Sequence, residues 1–250
     1  MDEVVAALRE QQEELGSLLD GLDDDGWAAP SRCAGWTVCD VVLHLGQTNE
    51  MAIASVHGRF EETAARLAQG LPPAANVDEG VDALVARERG LPPAAVHERY
   101  RRSSAELCEA LRSCDPGARV TWVAGELAAQ TLATTRLAET WIHTGDVFHA
   151  FGRTPEAGDR LWHIARLAWR SLPYAFARDG RTMTGPVAFR LVGPGGDAWD
   201  FDDDDAPTRI TGDALDLCMV ASRRTSPDET GLRGEGPDAA AVLELVRTWA

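Results

Sequence analysis

Apolar residues recur at helical spacing from the N-terminus to about Arg178, and only from Val187 do they begin to alternate. A 3.6-residue rhythm buries one stripe of a helix, whereas a two-residue rhythm buries one face of a strand. The chain is therefore expected to be a helical assembly with a smaller mixed part appended. Val4, Val5, Leu8, Leu15, Leu18, Leu19 and Leu22 fall largely on one stripe and predict a first helix to about Leu22, ended by the polar turn Asp23-Asp24-Asp25-Gly26. The second helix has a marked start: Thr37 can cap it, Asp40 completes a capping box, and Trp36 can staple onto Val41. Val38, Val41, Val42 and Leu45 define its buried face, and His44 stands at the edge of that face, one turn beyond Asp40.

From Gly70 to Pro93 two Leu-Pro-Pro triplets and several small residues predict loops with at most a short helix. A third long helix is expected from about Ala94 to Leu111, closed by Pro116-Gly117, and a fourth from about Leu127 to Phe151. Four such helices suggest an antiparallel bundle with a long connection between the second and third. Beyond Gly152 an aromatic-rich helix is expected over about Gly158 to Arg178. Val187, Phe189 and Leu191 then alternate ahead of Gly193-Pro194-Gly195-Gly196 and a second strand at Ala198 to Phe201, a hairpin signature. A strand at Thr208 to Thr211, a helix around Ala214 to Ala221 and a last helix from Ala239 to Trp249 complete the reading. The expected fold is mainly α with a smaller α+β part: a helical bundle over residues 1–155, then a connecting helix and small α+β domain over 156–250.

Net charge is −16, which disfavours a nucleic-acid partner because a polyanion would be repelled. No apolar run approaches the roughly 20 residues that span a bilayer, and the N-terminus lacks a basic segment followed by an apolar one, so a cytoplasmic protein is expected. The five cysteines (33, 39, 108, 114 and 218) form no CxxC and read as free thiols in a reducing compartment. All basic side chains but histidine are arginine, with no lysine, which points to a GC-rich genome such as an actinobacterial one.

Glu139 and His143 are four residues apart on a predicted helix, so both project from one face and can chelate one ion. A third ligand must come from another helix, and His44 is the natural candidate. Two histidines, a glutamate and an open position form a catalytic zinc arrangement. The same residues also fit a solvated Glu/His ion pair, with Glu139 pairing Arg136 and Asp146 pairing His149 at i,i+3. His57, His97 and His163 have no partner at ligand spacing and read as structural or surface residues. Asp40 could support His44, but the capping box explains it fully. Cys33 lies in a turn near a helix start with nothing in the sequence to supply a base, so it reads as a plain thiol. The acidic run Asp202 to Asp205 lacks the spacing of a calcium loop, and Gly193 to Gly196 precedes no helix, so neither reads as a ligand site. Trp162, Trp169 and Tyr174 read as packing residues of an aromatic-rich helix.

The stretch Cys33-Ala-Gly-Trp-Thr-Val-Cys-Asp-Val-Val-Leu-His44, followed by Glu139-Thr-Trp-Ile-His143-Thr-Gly-Asp146, resembles the mycothiol-dependent maleylpyruvate isomerase family of the DinB-like metal-binding superfamily. That resemblance implies a DinB-like four-helix bundle whose zinc is held by a histidine of the Gly-Trp…His helix and by both ends of a Glu-x-x-x-His pair. His44, Glu139 and His143 occupy those positions. The resemblance extends to Ile210 through Arg223, a strand leading to a helix that ends in Gly-Arg in the family. Here Ser222 stands for the glycine, and Arg223 takes the position of an arginine implicated in substrate handling. The implied function is a zinc-dependent (or other divalent metal-dependent) isomerase or S-transferase. Its implied partners are mycothiol, or another low-molecular-weight thiol, and a small-molecule substrate. A thiol-independent Lewis-acid isomerase, cyclase or hydrolase would use the same ligands, and so would a small-molecule binding protein without catalysis.

Overall fold

The computed structural model describes residues 1–123, 125–201 and 205–248. The chain divides into two compact units, Met1–Pro155 and Glu156–Ala250. The first contains α1 (Asp2–Leu19), α2 (Asp24–Ala28), α3 (Val38–Val56), α4 (Phe60–Ala68), α5 (Val77–Glu88), α6 (Pro93–Arg112), a hairpin of β1 (Arg119–Trp122) and β2 (Gly125–Ala128), and α7 (Ala129–His149). The long helices α1, α6, α3 and α7 pack in a closed ring, each against the next, and form a four-helix bundle. Leu8, Leu15, Leu19, Val41, Val42, Leu45, Leu107, Leu111, Leu132 and Leu137 fill its interior. No helix among the described residues is long and apolar enough to cross a membrane.

The start of α3 follows its sequence signal. The Thr37 hydroxyl accepts from Asp40 N–H at 3.2 Å, and an Asp40 carboxylate oxygen accepts from Thr37 N–H at 3.0 Å. The other Asp40 oxygen accepts from Arg89 Nε at 2.9 Å, so Asp40 is a cap and ion-pair partner. The helix is more enclosed than its stripe implies. From Val38 to Gln47 only Cys39 is not fully buried, because α2, α4, α5, α6 and α7 all pack on α3. His44 is therefore interior, at 6% exposure, rather than at a face edge.

The connection from Gly70 to Pro93 departs from expectation. It contains the 12-residue helix α5, whose N-cap Asn76 accepts from Glu79 N–H at 2.9 Å. The two Leu-Pro-Pro triplets flank α5 instead of interrupting it, and Pro93 opens α6, where a missing N–H costs nothing. Helix α4 and the β1–β2 hairpin also lay outside the sequence reading, being short elements with mixed exposure.

The second unit contains α8 (Leu161–Arg170), α9 (Leu172–Arg178), β3 (Val187–Val192), β4 (Ala198–Phe201), β5 (Thr208–Asp213), α10 (Ala214–Ala221), β6 (Arg233–Glu235) and α11 (Ala239–Leu245). The expected single helix of Gly158 to Arg178 is two helices, because Pro173 removes a helical donor and the chain resets at Ser171. The sheet order is β4-β3-β5-β6, with β3 antiparallel to β4 and parallel to β5. At the β3–β4 turn Gly193 leaves room for the Trp199 ring, which a Cβ would meet at 2.5 Å. Trp162 and Trp169 pack on Phe201, and Trp169 also donates to Val187 O at 2.7 Å. Tyr174 is exposed. The last helix ends at Leu245, short of the expected Trp249. Trp249 and most of the acidic run, Asp202 to Asp204, lie outside the described residues.

Candidate metal centre

Two helices and one loop build the centre. Helix α7 presents Glu139, His143 and Asp146 at i, i+4 and i+7, one above another on a single face. Helix α3, packed against α7, presents His44. His44 Nε2 lies 3.9 Å from Glu139 Oε2, and His143 Nε2 lies 3.6 Å from the same oxygen. The two imidazoles meet edge-on at 4.9 Å between centroids, and the three ligand atoms all fall within 4.8 Å of one another. The three residues singled out for metal binding are thus brought together; the two i,i+3 pairings weighed from spacing, Arg136 with Glu139 and Asp146 with His149, are not what the structure uses. Arg136 donates to Thr48 at 2.9 Å and to Asn49 at 3.2 Å rather than to Glu139. Asp146 turns toward His143, and His149 is exposed at the helix end. His57 caps α3, His97 contacts Asp20 and Trp27, and His163 contacts Trp162.

The loop from Ala29 to Thr37 explains why Cys33 joins this group. A bridge between Pro30 and Thr37 closes the loop, and Trp36 N–H donates to Cys33 O at 3.0 Å across a turn. Gly35 takes φ +78° there, which a type II turn requires at its third residue. Arg32 N–H donates to Asp146 O at 3.1 Å and pins the loop to α7. The Cys33 thiol then donates to Asp146 Oδ2 at 3.2 Å and stands 3.8 Å from His143 Nδ1. The same carboxylate oxygen is 3.0 Å from His143 Nδ1, so this nitrogen carries the proton and Nε2 faces Glu139. The reading of Cys33 as a thiol without a base is corrected here. An imidazole and a carboxylate from 110 and 113 positions downstream lie beside it.

Electrostatics separate the three groups. Burial pushes the His44 imidazole down to about 4, against the opposing pull of Glu139, so it is a neutral imidazole at physiological pH. Burial acts on Glu139 in the opposite sense, but hydrogen bonds to His143 and His44 and the charge of Arg136 outweigh it and hold the carboxyl well below its ordinary range. His143 is raised well above the ordinary histidine range: burial opposes this, and the contacts with Asp146, Cys33 and Glu139 prevail. Without an ion the centre is an anionic Glu139 beside a protonated His143 and a neutral His44.

Arg223, marked for substrate handling, belongs to the second unit. It follows the α10 cap in the left-handed region, at φ +59°, and its guanidinium donates to Glu244 O at 2.8 Å.

A helical bundle that gathers two histidines and a carboxylate in its core has the donor set of a metal-binding bundle protein. The family profile described as the mycothiol maleylpyruvate isomerase N-terminal domain matches residues 8–148, more than half of the chain and all three donors. The chain belongs to the mycothiol maleylpyruvate isomerase family, a family of enzymes. It is 32% identical over 247 residues to an uncharacterised protein of Mycobacterium tuberculosis, matched in strains H37Rv and CDC 1551, covering 98% of this chain and 95% of that protein. Its fold is that of a crystal structure of the mycothiol-dependent maleylpyruvate isomerase, at TM-score 0.63 and 19% identity over 94% of this chain and 95% of that one. A histidine-to-alanine mutant of that isomerase superposes with TM-score 0.61 at the same identity and coverage.

Proposed function

We propose that this protein is a mycothiol-dependent isomerase that holds one divalent metal ion, zinc by the chemistry of its donors, with His44, Glu139 and His143. The observation that carries this reading is the convergence of the three donors from two helices inside the bundle. Two imidazoles and one carboxylate suit zinc and leave it a position for an outside ligand. Asp146 supports the fit: its hold on Nδ1–H sets the tautomer that presents Nε2, the arrangement that orients metal-ligating histidines. When bound, such an ion stabilises a thiolate at neutral pH and polarises carbonyl oxygens.

The chain's own residues have distinct parts in this reading. His44 is kept neutral by burial and is ready to ligate, whereas His143 must release a proton first. Trp36 packs at 5.4 Å from the His44 ring, between centroids. Arg223 is assigned to anionic groups of the substrate, as an exposed cation of the second unit. The low-molecular-weight thiol and a small electrophile are the expected partners. Five free cysteines support a reducing, cytoplasmic setting, and the mycobacterial relatives support an actinobacterial origin.

The test is metal analysis of purified protein, followed by isomerisation and thiol-conjugation assays with mycothiol, with and without chelator. Stoichiometric metal, and activity that needs both metal and thiol, is the expected result. His44→Ala or Glu139→Ala protein with full metal content would overturn the ligand assignment. Metal-dependent activity indifferent to thiol would replace the reading with a Lewis-acid enzyme.

A further inference from the structure

Cys33, His143 and Asp146 form a closed triangle on the far side of the His143 ring from Glu139. Its edges are 3.8 Å from Sγ to Nδ1, 3.2 Å from Sγ to Oδ2, and 3.0 Å from Nδ1 to Oδ2. Ligands of one tetrahedral zinc-like ion, with bond lengths of about 2.3 Å to sulfur and about 2.0–2.2 Å to nitrogen or oxygen, stand roughly 3.3 to 3.6 Å apart. Each edge is within a few tenths of an ångström of that, and the two edges to Asp146, 3.2 and 3.0 Å, are shorter than the 3.6 and 3.9 Å separations around Glu139.

We propose that Cys33, His143 and Asp146 are a second position for a thiophilic divalent cation, alternative to the first and sharing His143 with it. One sulfur, one imidazole and one carboxylate suit Zn²⁺, Co²⁺ or Cd²⁺ better than the hard cations Mg²⁺ or Ca²⁺. A thiolate and a carboxylate together neutralise a divalent ion, which favours it in a place where Asp146 is fully buried. The triangle does not depend on a swinging side chain, because the Arg32–Asp146 backbone bond ties the Cys33 loop to α7. Cys33 is only half-buried, so an ion can reach this position from outside.

The two positions exclude each other. A neutral imidazole offers one lone pair and keeps one N–H. An ion at Nδ1 displaces both the Nδ1 proton and the Cys33 thiol proton to solvent and leaves His143 with its remaining proton on Nε2, facing Glu139. An ion at Nε2 restores the proton to Nδ1, facing Asp146. One ion can therefore pass from the half-open thiol side to the interior side by a tautomeric change of His143, with Cys33 taking back a proton from solvent.

Cobalt titration of metal-free protein tests this, because a thiolate ligand gives a near-ultraviolet sulfur-to-cobalt band and nitrogen and oxygen ligands do not. The His44→Ala variant, which weakens the first position, is expected to bind one Co²⁺ and show the band. Adding Cys33→Ser to it is expected to abolish the band while circular dichroism stays unchanged. Glu139→Gln is the second variant should His44→Ala fail to fold, with the same expectation. Wild-type protein that binds cobalt without the band, alongside a folded His44→Ala or Glu139→Gln variant that binds none, would overturn the second position and leave the first intact. A band that survives Cys33→Ser would also overturn it, since the sulfur would then belong to another cysteine.

Discussion

Glu139→Gln keeps the shape of the central side chain and removes only its charge. In the metal-free protein the Glu139 carboxylate stands between His44 Nε2 at 3.9 Å and His143 Nε2 at 3.6 Å, and it is the anion facing the buried Arg136 charge. Removing one partner of a buried charged set costs about 3–5 kcal/mol when nothing replaces it. Two features reduce that figure. Arg136 keeps its bonds to Thr48 and Asn49, and His143 can shed its proton once Glu139 no longer favours the charged ring. The expected loss is therefore about 2 kcal/mol, below that range. Urea denaturation with chelator present measures it as a lower midpoint at unchanged slope. Competition with a chromogenic chelator measures the metal side separately. There the loss should exceed the roughly 10–100-fold that removal of a mere supporting partner causes. A stability change below about 0.5 kcal/mol would refute the charge network, and wild-type metal affinity would refute Glu139 as a ligand.

Acid should destabilise the metal-free protein through His44. Its folded pKa, about 4 against 6.5, is depressed, so its contribution is present above pH 6.5 and lost as pH falls toward 4. The shift corresponds to on the order of 3 kcal/mol, read as falling urea midpoints over that window; a His44→Gln variant with the same pH slope would exclude this origin. Thr37→Ala removes the side-chain cap on Asp40 N–H and should cost about 1 kcal/mol in thermal or urea unfolding, with an unchanged value arguing against the cap. Arg223→Gly relieves the left-handed backbone but forfeits the bond to Glu244 O, so stability should change by less than about 1 kcal/mol while activity falls. Full activity in that variant would remove Arg223 from substrate handling.

How much of this was readable in advance depends on how local each signal is. The α3 start was legible because a capping box is written within four residues, Thr37 to Asp40, and the structure forms both of its bonds. The bundle helices were legible because each buries a stripe of its own. Helix α5 was not, since proline signals were read as loop although they lie at its borders, and the α8–α9 break was missed because Pro173 sits where a first helical turn tolerates it. The burial of His44 was underestimated for a different reason: periodicity describes one helix, and full enclosure of α3 comes from the elements that cover it.

The centre shows the same division in sharper form. Glu139 and His143 share a helix face, so their spacing alone sets them together, and the family resemblance supplied His44 from 95 positions upstream of Glu139, a separation that no local rule spans. Asp146 was visible as a residue at i+3 from both His143 and, in the other direction, His149, and spacing cannot choose between these. The choice is made by the bundle, which buries the side of α7 carrying Asp146 completely and leaves His149 exposed. Cys33 was beyond reach altogether. Its chemistry is created by a backbone bond from Arg32 to Asp146 that brings a loop thiol onto a helix far along the chain. The His143 ring, which faces Glu139 through Nε2, is thereby given partners at Nδ1, which makes His143, rather than Glu139, the residue shared by the two groups of donors.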